Sequence, residues 1–104
     1  MYKLEFSKNF ILDQTVALEY IALMLFNPNA AKKLKSKIDD KIDKIIVFPE
    51  GFPIFDTRGK TEYTYRKVRV GNYYILYYFD EYKQLIHFSR FVYVKRNLDD
   101  IGLD

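Results

Sequence analysis

The sequence contains no cysteine. That excludes disulfides and thiolate metal sites. Histidine occurs once, as His87, with no partner at metal-ligand spacing and no Ser/Asp constellation around it, so neither a metal cage nor nucleophilic hydrolysis is expected. A lone strand histidine is more often a packing residue than a catalytic one. The glycines Gly51, Gly59, Gly71 and Gly102 are scattered, so there is no Gly-rich phosphate loop. No run of 18 apolar residues is present, which argues against a membrane span. The opening Met1-Tyr2-Lys3-Leu4-Glu5-Phe6 is charged within three residues and lacks the apolar region of a signal peptide, so a soluble cytoplasmic chain is expected. Neither repeats nor low-complexity linkers divide the 104 residues, and one domain over 1–104, with no cofactor and no metal, is the expectation.

What the chain does have is aromatic and β-branched density in its second half. Three antiparallel strands are predicted at about Tyr65–Val70, Tyr73–Phe79 and Leu85–Val94. Gly71-Asn72 makes the first hairpin tight, because both residues tolerate positive φ, and Asp80–Gln84 makes a longer polar turn. Alternation puts Tyr65, Lys67 and Arg69 on one face of the first strand, against Arg66, Val68 and Val70. In the last strand it groups Ile86, Phe88, Arg90, Val92 and Val94 against His87, Ser89, Phe91 and Tyr93.

The first half reads as a strand and two helices. Tyr2–Phe6 alternates apolar and polar. Ser7 or Asn9 caps a helix running to about Phe26, with Ile11, Leu18, Ala22 and Leu25 as its core stripe, widened by Phe10, Ile21 and Met24. Asn27-Pro28-Asn29 ends it. The second helix covers about Ala30–Val47. Ala31, Leu34, Ile38, Ile42 and Ile45 form its apolar stripe, and its lysines and aspartates form a solvated back. Pro49, Gly51, Pro53 and Gly59 mark a long irregular connection. The order predicts an α+β domain: a short N-terminal strand, an antiparallel helix pair and a three-stranded antiparallel meander, with the helices packed on one face of the sheet. The other face is expected to be open, with Phe91, Tyr93, Leu76 and Tyr78 offering an edge or groove to an acidic partner segment; the alternative is that the chain's own acidic tail, Asn97–Asp104, covers them.

Charge is uneven. Lys60–Arg96 carries eight Lys or Arg against three acids, a net +5. Such a surface attracts an anionic partner, whether nucleic acid or an acidic protein segment. The cations and tyrosines Tyr65, Arg66, Lys67, Arg69, Tyr73, Tyr74, Arg90, Tyr93, Lys95 and Arg96 suit metal-independent phosphodiester chemistry. Lysine and arginine stabilise charge on a pentacovalent phosphate, arginine binds phosphate oxygens in pairs, and tyrosine stacks on unpaired bases. The competing reading is plain sheet packing and solubility.

The segment Tyr65-Arg66-Lys67-Val68-Arg69-Val70-Gly71-Asn72-Tyr73-Tyr74-Ile75-Leu76-Tyr77 resembles the central hairpin of the RelE/ParE toxins of bacterial type II toxin–antitoxin systems. Ile86-His87-Phe88-Ser89-Arg90-Phe91-Val92-Tyr93-Val94-Lys95-Arg96 resembles their last strand, and the order of elements matches over essentially the whole chain. The resemblance implies a toxin neutralised by an antitoxin encoded in an adjacent gene. RelE-like members cut mRNA on the ribosome; ParE-like members inhibit DNA gyrase without cutting RNA. For the first activity the resemblance implies Lys67, Arg69 and Arg96 as catalytic, with Tyr65, Arg66, Tyr74, Arg90, Tyr93 and Lys95 contacting RNA. Tyr74 stands where many members carry arginine, and no tyrosine follows Tyr93. Ribosome-dependent mRNA cleavage is the leading expectation and gyrase inhibition the alternative.

Overall fold

The computed structural model describes residues 1–103. The chain builds β1 (Lys3–Phe6), α1 (Lys8–Glu19), α2 (Pro28–Val47), β2 (Arg66–Val70), β3 (Tyr73–Asp80) and β4 (Leu85–Tyr93). The four strands form one mixed sheet in the order β1-β4-β3-β2, with β1 parallel to β4 and the other pairs antiparallel. It is an α+β fold with helices on one face of the sheet, the arrangement that the order of elements predicts.

The helices start where local chemistry fixes them. The Ser7 hydroxyl accepts the Phe10 N–H at 2.9 Å and donates to the Ser89 carbonyl at 2.6 Å, so one side chain caps α1 and ties it to β4. Asn27, not Asn29, caps α2 by accepting the Ala30 N–H at 3.1 Å. Pro28 then occupies the first helical turn, where its missing N–H is harmless. The proline therefore opens the second helix two residues before the expected start. Leu18 and Ala22 lie beside Ala31, and Ile11 and Thr15 beside Asp39 and Ile42, so the two helices run antiparallel.

The α2 stripe is as expected: Ala31, Leu34, Ile38 and Ile45 are buried. The α1 stripe is not. Phe10 and Ala17 are its buried residues, while Ile11, Met24 and Leu25 face solvent. Apolar residues surround α1, so periodicity alone cannot pick its inner face. The α-helical pattern also widens into a π turn at Tyr20–Met24, closed by Leu25 N–H donating to the Tyr20 carbonyl at 3.1 Å, which rotates the residues beyond it.

In the sheet, Gly71 adopts φ +58, and of the two hairpin residues it alone uses positive φ. Leu76 pairs with Arg90 but Tyr77 pairs with Phe88, so Ser89 is the extra residue of a β-bulge. The bulge reverses the alternation of β4. Ile86 and Phe88 face the helices, but so does Phe91, while Val92, grouped with the first two by alternation, moves to the opposite layer.

That opposite layer is covered. Phe55 from the α2–β2 connection and Leu98, Ile101 and Leu103 from the tail pack on Tyr65, Tyr74, Leu76, Tyr78 and Val92, forming a second core. Tyr63 stacks on Tyr78 at 4.0 Å. The connection runs back along β2, with Phe55 N–H donating to the Tyr65 carbonyl at 3.1 Å and Lys67 N–H to the Pro53 carbonyl at 3.0 Å. The expectation of an open second face is overturned: it left apolar Leu76, Tyr78 and Val92 in water, and residues 52–65 with the tail supply their cover.

Candidate functional site

The nine side chains singled out from sequence fall into three groups. The first is committed to holding the fold. Tyr65 is fully buried; its hydroxyl donates to Ser89 Oγ at 3.1 Å and its ring meets Phe55 and Tyr78 edge-on, so it has no surface to offer RNA. Arg66 donates to the carbonyls of Phe52 (2.6 Å) and Glu50 (3.1 Å) and lies over the Phe79 ring, fastening the connection to the sheet. Arg90 makes a two-pronged ion pair with Asp13 of α1, Nε at 2.7 Å and a terminal nitrogen at 3.0 Å, and also donates to the Gly102 carbonyl at 2.9 Å. All three side chains thus have partners within the fold.

Arg90 can reach Asp13 because β1 ends at Phe6, opposite Phe88. Beyond that point the edge of β4 is bare. Asp13 takes the place of a strand, accepting the Phe91 N–H at 3.1 Å as well as the guanidinium. Asp13 and Arg90 are 16% and 12% exposed, so the pair is largely shielded from water. Sequence reading missed Asp13 because it is an ordinary helical acid, 77 residues from its partner.

The second group lies on β2. Lys67 and Arg69 point to the same side, as alternation predicts. The Lys67 ammonium sits 5.0 Å above the Tyr74 ring, which holds it by a cation–π contact. Arg69 is exposed and donates to the Gly71 carbonyl at 2.7 Å. It borders a shallow hollow of about 390 Å³ with Lys37, Lys41, Lys44 and Asp40 of α2. The lysine back of α2 therefore does more than face solvent: it joins Arg69 in one cationic rim. That juxtaposition is invisible in sequence, because it depends on α2 lying over β2.

The third group is at the end of β4. Arg96 and Tyr93 line a hollow of about 360 Å³ with Leu12, Val16 and Tyr20 of α1 and with Tyr73 and Phe91. This is the helix side of the sheet. Lys95 is exposed. Burial pushes the Tyr73 phenol pKa up, and the neighbouring Tyr93 and Tyr20 phenols add to the rise. Arg69 thus lines one hollow and Arg96 another, Lys67 is held over the Tyr74 ring outside both, and no hydrogen bond or ion pair among the described residues joins the three. His87 lies in the second layer, paired through Nδ1 with Glu5 of β1 and stacked on Tyr78.

Among the described residues no three His, Asp or Glu side chains converge as a metal site requires, and no helix is long and apolar enough to cross a membrane. Among curated proteins, none matches the chain. A family model described as ParE toxin of type II toxin-antitoxin system, parDE, matches residues 4–98.

Proposed function

The chain belongs to the ParE toxin family of type II toxin–antitoxin systems, and from that premise we propose that it acts by binding its target, DNA gyrase, rather than by cutting RNA. The observation that carries this reading is the separation of the cations. Charge stabilisation at a reacting phosphate needs donors converging on one point, whereas Arg69 borders one hollow, Arg96 borders another and Lys67 lines neither. A phenol acting as general base needs a lowered pKa. Tyr73, the phenol beside Arg96, is shifted the other way. Three of the side chains expected at an RNA site, Tyr65, Arg66 and Arg90, are occupied within the fold.

A second reading keeps one observation in its favour. Lys67 and Arg69 share a face, and Arg69 continues into the Lys37, Lys41 and Lys44 rim, a surface fit for a polyanion. On that reading the toxin grips mRNA on the ribosome through these cations, with Arg96, Tyr74, Tyr93 and Lys95 as further contacts. The two readings separate in one pair of assays. Purified protein added to gyrase is expected to inhibit supercoiling or trap cleaved DNA. Primer extension on abundant mRNAs after induction is expected to show no new 5′ ends. New ends within codons, with gyrase unaffected, would reject gyrase binding in favour of cleavage.

Family membership implies a cognate antitoxin. The +5 of Lys60–Arg96 favours one with an acidic segment, because opposite charge speeds association and masks the cations. Of the side chains expected to receive it, Leu76 and Tyr78 are under the tail and residues 52–65, Phe91 is under α1, and only Tyr93 is exposed. Pull-down with the product of the adjacent reading frame tests the pairing.

A further inference from the structure

An uncovered apolar surface runs along the outside of α1. Ile11, Leu12, Val16, Tyr20 and Leu23 are each more than half exposed, from 51% to 66%. Leu12, Val16, Glu19 and Leu23 recur at i, i+4, i+7 and i+11, with Lys8 one turn earlier. Together the five apolar side chains leave roughly 600 Å² in water, at the upper limit of the patch a monomer normally tolerates.

We propose that this face is a self-complementary interface, on which two copies of the toxin associate through antiparallel α1 helices. Charge is what selects a second copy over other occupants. Lys8 and Glu19 lie on this same face with opposite signs, and among the described residues neither takes part in an ion pair. They are eleven residues apart, about 16 Å along the helix. A two-fold axis passing between Asp13 and Gln14 sets Lys8 against the partner's Glu19, and does so twice. The same register brings Leu12 against the partner's Thr15 and sets the Val16 side chains of the two copies near each other on one flank of the axis. Such an isologous contact closes on itself and stops at a dimer. Asp13 remains with Arg90 on the inner side of α1 and is not drawn into the contact. The π turn contributes by holding Tyr20 and Leu23 at the end of the stripe, in a short segment that departs from ideal helical phase.

The test is sedimentation of the purified full chain over a wide concentration range. A monomer–dimer equilibrium is expected. Val16→Glu puts an unpaired charge beside the axis and should weaken the dimer at least about tenfold. Lys8→Glu sets like charges against each other at both ends and should weaken it by a similar factor. Adding Glu19→Lys to Lys8→Glu restores the opposition with signs exchanged, and should return the affinity to within about threefold of the original. Lys8, Val16 and Glu19 are all exposed, so the variants are expected to fold; thermal melting checks this. A chain that stays monomeric throughout overturns the proposal and leaves the face to the antitoxin or the target. So does a dimer indifferent to Val16→Glu, or a charge exchange that fails to rescue.

Discussion

Asp13→Ala probes the junction on which most of the fold converges. The Asp13 carboxylate accepts three hydrogen bonds, at 2.7 and 3.0 Å from Arg90 and at 3.1 Å from the Phe91 N–H. Deleting it leaves a guanidinium that is 12% exposed without its counter-charge, and an edge N–H without an acceptor. Removing one partner of a buried pair costs about 3–5 kcal/mol, and the stranded N–H adds about 1 kcal/mol. The guanidinium keeps its bond to the Gly102 carbonyl and enough exposure to recruit water, which returns part of this. The expected net loss is about 3 kcal/mol. For a domain of this size that lowers the melting temperature by about 12–24 °C. Urea denaturation of the wild type, Asp13→Ala, Arg90→Met and the double variant gives the coupling directly. Two-state behaviour is expected of one small domain. The double variant should be clearly more stable than additivity predicts, by about 2 kcal/mol. A loss under about 1 kcal/mol in Asp13→Ala, or additivity within about 0.5 kcal/mol, would refute the view that this pair stands in for the missing strand.

Three further predictions follow from other features. If toxicity rests on binding, Lys67→Ala, Arg69→Ala and Arg96→Ala should each reduce toxicity less than about tenfold in a titrated induction assay; a drop of about 10²–10³ in any of them would point to charge stabilisation in a reaction. Tyr77 is fully buried and donates its hydroxyl to the Pro49 carbonyl, and burial raises its pKa well above the ordinary value, with Arg66 opposing the rise only in part. Its contribution to stability is therefore whole below the unfolded-state pKa of about 10 and declines as pH rises beyond it. Denaturation at increasing alkaline pH should show a decline that Tyr77→Phe makes shallower, and an unchanged slope would count against the assignment. Ile101→Ala should destabilise by about 2–4 kcal/mol, because Ile101 is 1% exposed in the second core; a calorimetric loss below about 1 kcal/mol would mean the tail is only loosely laid on the sheet.

The parts of the fold that sequence reading captured are those in which each residue answers to its neighbours. The α2 stripe, the tight turn at Gly71 and the three meander strands all follow from short-range pattern and backbone chemistry. What escaped depends on partners far away in the chain. The bulge at Ser89 does not interrupt the apolar run of β4, so nothing local marks the residue at which alternation flips. The cover over Leu76, Tyr78 and Val92 comes from the tail, which sequence reading held only as an alternative, and from residues 52–65, which read as a loop because of their prolines and glycines. In the candidate site, the shared face of Lys67 and Arg69 was legible from period two. The opposite placement of Arg96 was not, because it follows the bulge and a turn in which its N–H donates to the Tyr93 carbonyl. The roles of Arg66 and Arg90 were hidden for the same reason: their acceptors are backbone carbonyls and a helical aspartate that look ordinary in sequence.

The placement of β1 has a consequence for how the protein comes into being. The first strand has one neighbour, β4, which is the last strand made. Ser7 and Asp13 likewise wait for Ser89 and Arg90. While the chain is being synthesised, residues 1–13 therefore have no native sheet to join until β4 has left the ribosome. Domains whose key pairings span the whole chain fold late and comparatively slowly, and synthesis proceeds at about 5–20 residues per second. Translation thus sets a built-in delay between the start of the polypeptide and the first moment at which it can do harm. In that interval an antitoxin already present in the cell meets a chain whose poisonous surface has not yet been assembled.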